Sequence, residues 1–205
     1  NTILPRTSAN GYMTAPIYVS GKKGTGTGGG VCQVSTTLYN AVILAELEIT
    51  QRSNHSMIVS YVKPSMDAAI AGDYKDLRFV NNQDIPIYIE GYTEGKNVTF
   101  KIYGHDTRPS NRVVTYESEV VSEQDPGTQY VATGDPAGYM KTAQGKHIGY
   151  VARLWKVVTV DGVEESREIF NKSTYKASPK IVNVGTASAD PNVSAVIGAA
   201  LATGD

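Results

Sequence analysis

Cysteine, histidine, tryptophan and phenylalanine are scarce in this chain: 205 residues contain one, three, one and three of them. The lone Cys32 cannot close an intrachain disulfide, and it excludes a multi-cysteine zinc site. His55, His105 and His147 are far apart, without the spacing of a ligand set, so the sequence calls for no metal and no other cofactor. Charge of one sign is missing as well. Lys and Arg (19) almost balance Asp and Glu (20), which leaves no basic footprint for nucleic acid or for a polybasic membrane contact. No run of residues approaches the roughly 20 apolar positions of a membrane span. No signal peptide opens the chain, and its abrupt start at Asn1 sets the expectation of a signal or membrane anchor upstream.

What is present is enough for a core. Hydrophobic residues make up 40% of the chain, too many for a disordered segment. Thirteen tyrosines suit half-wet β surfaces, and they also suit stacking on sugars or peptides. Residues 1–30 are rich in Gly, Thr, Ser and Pro, with a short strand candidate at 17–19. Val31, Val34, Leu38, Val42 and Ala45 then recur at spacings of three and four, which predicts a helix from near Cys32 to near Leu47. Ile43 and Leu44 widen its apolar surface, so the helix is expected to be buried on more than one side.

Strand signals follow. Residues 57–62 and 77–80 are candidates, and 86–92 with 97–103 read as a hairpin around Thr-Glu-Gly-Lys. A polar segment at 105–112 reads as a linker. Beyond it, 113–121, 151–160, 163–170 and 181–184 are strand-like, with Asp161-Gly162 as a hairpin turn. Residues 122–148 are rich in Gly, Asp and Pro, which suggests an extended module with little core. The small-residue tail from Ala187 to Asp205 is expected to be flexible, with a short helix at 194–202 as the alternative.

The stretch "GTGTGGGVCQVSTTLYN" at 24–40 concentrates the chemistry. Gly24, Gly26 and Gly29 fit G-x-G-x-x-G, but antiparallel β signals follow where a dinucleotide site needs a second βαβ strand. A P-loop fails for want of a Lys-Ser or Lys-Thr pair after the glycines. Two readings of Cys32 remain: an ordinary buried residue behind a tight turn, or a nucleophile. In the first turn of a helix, unpaired N–H groups and the helix dipole favour the thiolate. Glycine amides ahead of it can also form an oxyanion hole. His55, in Arg52-Ser53-Asn54-His55-Ser56, is the nearest candidate base, and Asp67 or Asp76 could orient it. Spacing does not choose between the two aspartates.

"GGGVCQVSTTLYNAV", "RSNHSMIVSYV" and "DAAIAGDYKDLRFVNNQDIPIYI" closely resemble the VanW family, from about Gly11 to Gly104. The positions that fit its motifs are Gly28, Gly29, Gly30, Cys32, Gln33, Ser35, Thr36, Asn40, His55, Ser56, Asp67, Asp76, Leu77 and Phe79. Asn54 stands where the family usually has proline before the histidine. "VVTVDGVEESREIFNKSTYKASPKIVNVGTA" resembles the G-five module, an elongated β unit of cell-surface proteins.

The two resemblances imply an α+β chain, with one buried helix packed on antiparallel strands, followed by an extended all-β module. They divide it into a VanW-like catalytic domain (1–104), a linker (105–112), a G-five-like module (113–186) and a tail (187–205). They also imply an extracellular, cell-wall-associated protein acting on peptidoglycan. Its expected activity is L,D-transpeptidase-like acyl transfer through Cys32, with His55 as base and Asp67 or Asp76 behind it. Gly28, Gly29, Gly30, Gln33, Ser35, Thr36, Arg52 and Ser56 are the candidates for holding substrate or oxyanion. The expected partners are stem peptides and glycan. The alternatives are a non-catalytic wall-binding protein and a cysteine peptidase of the same stems.

Overall fold

The structure, a computed structural model, describes residue 3, residues 5–19 and residues 22–203, without the side chains of 18, 19, 22 and 23. The first half contains β1 (Thr14–Val19), β2 (Lys22–Thr27), α1 (Val31–Leu44), β3 (Glu48–Gln51), β4 (Arg78–Val80), β5 (Tyr88–Glu94) and β6 (Asn97–Tyr103). The second contains β7 (Arg112–Gln124), β8 (Thr128–Pro136), β9 (Met140–Gln144), β10 (Gly149–Val160), β11 (Val163–Tyr175), β12 (Lys180–Ala187) and α2 (Pro191–Thr203). The fold class is α+β, as expected, with one main helix on strands and an all-β region after it. These elements form two compact units, neither of them a continuous segment. The first holds 1–122 and 151–175; the second holds 123–150 and 176–205.

In the first unit, α1 starts one residue before Cys32, behind Gly30 in the left-handed region (φ 92°). Its end is a left-handed turn at Glu46 (φ 55°), closed by the Leu47 amide donating to the Val42 carbonyl at 3.1 Å. A non-glycine residue there costs roughly 1–2 kcal/mol. Glu46 is held in place by its carboxylate, which accepts from Arg112 (2.5 and 2.9 Å), Arg108 (3.1 Å) and Lys156 (2.8 Å). Those hydrogen bonds, from Arg112 above all, hold its carboxyl far below the usual range.

The buried stripe of α1 is Ser35, Thr36, Tyr39, Val42 and Ile43. The apolar spacing had placed Val34 inward, yet it is 41% exposed. The helix is rotated because the Ser35 and Thr36 hydroxyls find backbone partners in the loop before β4, so two polar residues can be buried at low cost. Tyr39 and Ile43 pack with Ala68 and Leu154, and around them sit Ile49, Met66, Leu77, Tyr116 and Phe170. Leu154 is fully buried and comes from β10. The sequence reading expected few core contacts across 105–112; instead β7, β10 and β11, ordered β11-β10-β7 in one sheet, help to build the core around α1.

Residues 57–62 form no strand. Met57 and Val59 are buried, so their alternation reflects burial, but no neighbouring strand pairs with them. The β5–β6 hairpin forms as expected, with Gly95 (φ 60°) in its turn, and so does the Asp161-Gly162 turn (φ 52° and 79°) between β10 and β11. The β1–β2 ladder pairs Ile17 with Gly24, which puts the "GTGT" stretch in a strand and not in a loop.

The second unit is the sheet β8-β12-β9, with β12 parallel to β8 and antiparallel to β9, and α2 against it. β8 and β9 fall within 122–148, the stretch read as extended with little core, and α2 occupies the expected flexible tail up to residue 203. Residues 204 and 205 lie outside the described set. No helix among the described residues is long and apolar enough to cross a membrane.

Burial of Leu154 against α1 makes the first unit dependent on the second half of the chain. Leu154→Ala should therefore destabilise it by about 2–5 kcal/mol. A chain ending at Gly104, lacking that side chain together with Tyr116 and Phe170, should show no cooperative thermal unfolding. A sharp melt from the truncated chain would refute this dependence.

Candidate active site

Cys32 lies in the first turn of α1, partly buried, with its Sγ 3.4 Å from the Ile70 carbonyl oxygen. Burial alone would raise its pKa. A hydrogen bond with His55 and a backbone hydrogen bond at Ile70 outweigh burial, helped by the charges of His55 and Arg6, so the thiol is held below its ordinary value. His55 follows β3 in an irregular loop, with its side chain 15% exposed. Its Nδ1 lies 2.6 Å from Asp67 Oδ2, which leaves Nε2 for the thiol. Burial would lower the imidazole pKa, but its bonds to Asp67 and Cys32 raise it to about 9. Opposite shifts in the two partners favour a thiolate–imidazolium pair.

Asp67 is completely buried and its carboxylate is fully bonded. Oδ2 accepts from the His55 amide (2.7 Å) as well as facing its ring. Oδ1 accepts from Arg52 Nη2 (2.9 Å) and from the Tyr175 hydroxyl (2.5 Å). Burial would raise its pKa, yet hydrogen bonds from His55 and Tyr175 and the Arg52 charge hold it below the usual range. Asp76 is engaged elsewhere, with Arg78 Nε at 3.0 Å and the Leu77 amide at 3.0 Å. Of the two aspartates that spacing left open, Asp67 is the one that touches the histidine.

Several expected substrate contacts have other partners. Ser35 donates to the Ala68 carbonyl, and Thr36 accepts from the Ala68 amide at 3.0 Å, so both brace the loop that carries Asp67. Arg52 is also structural: besides Asp67 Oδ1 it donates to the Asp67 carbonyl (2.6 Å) and to Ser173 (2.9 Å), and its guanidinium lies over the Tyr39 ring at 5.7 Å. The Gly28 amide is engaged by the Met13 carbonyl at 3.0 Å and is unavailable to an oxyanion. Gly29 is required by close packing, since a Cβ there would come 2.6–2.8 Å from Ala15. Gly30 and Gln33 line a cleft of about 340 Å³ between the start of α1 and the β5–β6 turn. Ser56 is exposed.

Sequence reasoning missed Tyr61, Tyr175 and Ser173. Tyr61 places its hydroxyl 3.3 Å from His55 Nε2 and stands its ring edge-on to the imidazole at 6.1 Å. It lies six residues after His55, inside a stretch already singled out, so it was findable. Tyr175 and Ser173 are at the end of β11, more than 100 residues away, with no local signal. Asn54, at the family's proline position, donates to the Thr174 carbonyl at 2.9 Å and ties the His55 loop to the same strand.

The family of VanW like proteins matches residues 1–103. The chain belongs to that family. A G5 domain matches residues 115–187. The VanW-like half is 44% identical over 101 residues to the uncharacterized protein YoaR of Bacillus subtilis (strain 168). That match covers 49% of this chain and 33% of YoaR, so the chain spans about a third of this relative's length. An IgA1 protease G5 domain structure is 29% identical, covering 38% of this chain and 94% of its own, at a TM-score of 0.26. The HP0197-G5 crystal structure is 19% identical, covering 35% and 97%, at a TM-score of 0.19. These TM-scores are too low to establish a common overall shape. VanW and G5 domains in one chain imply a cell-wall-associated protein. Tyr175, Ser173 and Leu154 lie within the G5 match, yet they pack in the compact unit that contains the VanW residues.

Two outcomes follow from this electrostatic arrangement. Alkylation of Cys32 by iodoacetamide should persist well below about pH 8.5, the value of a free cysteine. His55→Ala should move the profile to higher pH; a wild-type profile centred near 8.5 would contradict the ion pair. Asp67→Asn should cost about 3–5 kcal/mol at pH 7, because it leaves Arg52 buried beside a neutral group. The Asp67 pKa is depressed in the fold, so its stabilisation is present above about pH 3.9 and is lost as pH falls through the folded value. The gap between wild type and variant in urea unfolding should therefore narrow with acid; a gap independent of pH would show that the charge is not the cause.

Proposed function

We propose that the first unit performs L,D-transpeptidase-like acyl transfer on peptidoglycan stem peptides, with Cys32 as nucleophile. The observation that carries this reading is the hydrogen-bonded series from Cys32 through His55 to a buried, fully bonded Asp67. Each member has a separate task. Asp67 fixes the ring so that Nδ1 keeps its proton and Nε2 faces the thiol. His55 holds the thiol's proton and is thereby ready to act as an acid.

In the proposed reaction the Cys32 thiolate attacks the carbonyl carbon of the bond before a terminal D-residue. The C–S bond forms as the carbonyl π electrons move to oxygen. At the start of α1, amides without an intrahelical acceptor, that of Cys32 with those of Gly29 and Gly30, stabilise this oxyanion. As the C–N bond breaks, imidazolium donates its proton to the departing amine, leaving a thioester and neutral His55. The side-chain amine of a second stem then attacks the thioester, giving its proton to His55. Collapse expels the thiolate and completes the cross-link. If water takes the place of the amine, the same intermediate ends in hydrolysis. In this reading the G5 region holds the protein on wall glycan.

Intact-mass measurement after incubation with a stem tetrapeptide or a carbapenem tests the proposal. Wild type should gain the mass of an acyl adduct, Cys32→Ala should gain none, and His55→Ala should acylate on the order of 10²-fold more slowly. A wild-type protein that stays unmodified under both reagents would favour a non-catalytic wall-binding role. Adding an acceptor amine then separates transfer from hydrolysis.

A further inference from the structure

We infer that Arg6 is the residue that recognises the free carboxylate of the terminal D-residue, which confines the site to the ends of stem peptides. The inference rests on the acyl-transfer reading and adds to it a specificity-determining residue. Arg6 lies ahead of β1, in a segment fixed by its own bonds. The Tyr12 amide donates to the Thr7 carbonyl (3.2 Å), Asn10 Nδ2 donates to the Pro5 carbonyl (2.8 Å), and the Tyr12 hydroxyl donates to the Ile3 carbonyl (2.9 Å). From there the Arg6 side chain runs across Gly28. A Cβ on Gly28 would come 3.2 Å from Arg6 Cδ and 3.3 Å from its Cβ. Gly28 in turn caps the entry to α1, since its carbonyl accepts from the Val31 amide at 3.4 Å. The aliphatic part of the Arg6 side chain thus lies against the turn that leads into the helix presenting Cys32, and the Arg6 charge adds a small downward pull on the thiol's pKa.

Its lack of a carboxylate partner among the described residues sets it apart. Among the seven arginines, Arg52, Arg78, Arg108, Arg112, Arg153 and Arg167 each pair with a carboxylate. Arg6 has no such pair among the described residues, although it lies over a tightly packed backbone. A planar guanidinium left open beside a nucleophile is suited to bidentate capture of a carboxylate. The expelled D-residue carries one in the right place. Its amine is bonded to the attacked carbonyl, and its carboxylate sits on the next carbon. A cation beside Cys32 can hold that carboxylate while the C–N bond breaks, and an internal peptide bond offers no equivalent group.

The test uses two synthetic tetrapeptides that differ only in a C-terminal carboxylate or carboxamide. Their binding to the full chain carrying Cys32→Ala is measured by calorimetry, where chemistry cannot interfere. The carboxylate form should bind on the order of 10-fold more tightly or better. Adding Arg6→Gln should erase that difference, and Arg6→Lys should restore part of it, with melting temperatures confirming that the variants are folded. No preference in the Cys32→Ala chain, no binding of either peptide, or a preference that survives Arg6→Gln would each overturn the inference. The two proposals fail separately. An Arg6-dependent preference without any acyl adduct on wild type would leave a carboxylate-binding site and remove the enzyme. An adduct together with an Arg6-independent preference would do the reverse.

Discussion

A carboxylate with no exposure to water must be surrounded by donors, and Asp67 imposes that demand on the whole first unit. It is met by a guanidinium, an imidazole, a main-chain amide and a phenol, contributed by Arg52, His55 and Tyr175. Those donors come from distant parts of the chain, so the carboxylate acts as the point on which they converge. Asp67 itself lies in a segment without regular secondary structure, whose backbone groups need partners from outside. Helix α1 supplies several of them: Thr36 bonds Ala68, and Asn40 Nδ2 donates to the Met66 carbonyl at 2.9 Å. The same helix that presents Cys32 at its first turn therefore positions the aspartate that aligns the histidine.

Local signals in the sequence were sufficient wherever the structure is local. The start of α1 one residue before Cys32 was legible from apolar spacing, and the two hairpin turns were legible from Gly95 and from Asp161-Gly162. The rotation of α1 was not legible, because a serine and a threonine face inward and their partners are main-chain atoms more than 30 residues away. Residues 57–62 show the complementary error. Alternation there records which side chains are buried, whereas a strand also needs a neighbour to bond. At the candidate site, Cys32 and His55 followed from chemistry and family motif, but the choice between Asp67 and Asp76 required the fold. Tyr175 and Ser173 lay beyond any reading by motif.

Sequence families and compact units divide this chain differently. The VanW match ends at residue 103 and the G5 match begins at 115, but the first compact unit recruits 151–175 from within the G5 match. Long strands account for the discrepancy. β7 and β10 each have residues in both units, and β11 ends at Tyr175, the last residue of the first. A boundary drawn from sequence similarity marks where a family's pattern stops, while a folding boundary marks where buried contacts stop. The core residues Leu154, Tyr116 and Phe170 place the second boundary well beyond the first.

The solitary cysteine also has a consequence for oxidative damage. Thiolates are the form that peroxides attack, and the first product is a sulfenic acid, which a second thiol normally rescues by forming a disulfide. These 205 residues contain no second thiol. Once oxidised, Cys32 has no thiol among these residues to divert it from the irreversible sulfinic and sulfonic acids. The electrostatics that favour the thiolate therefore also make its survival depend on reductants from outside these residues.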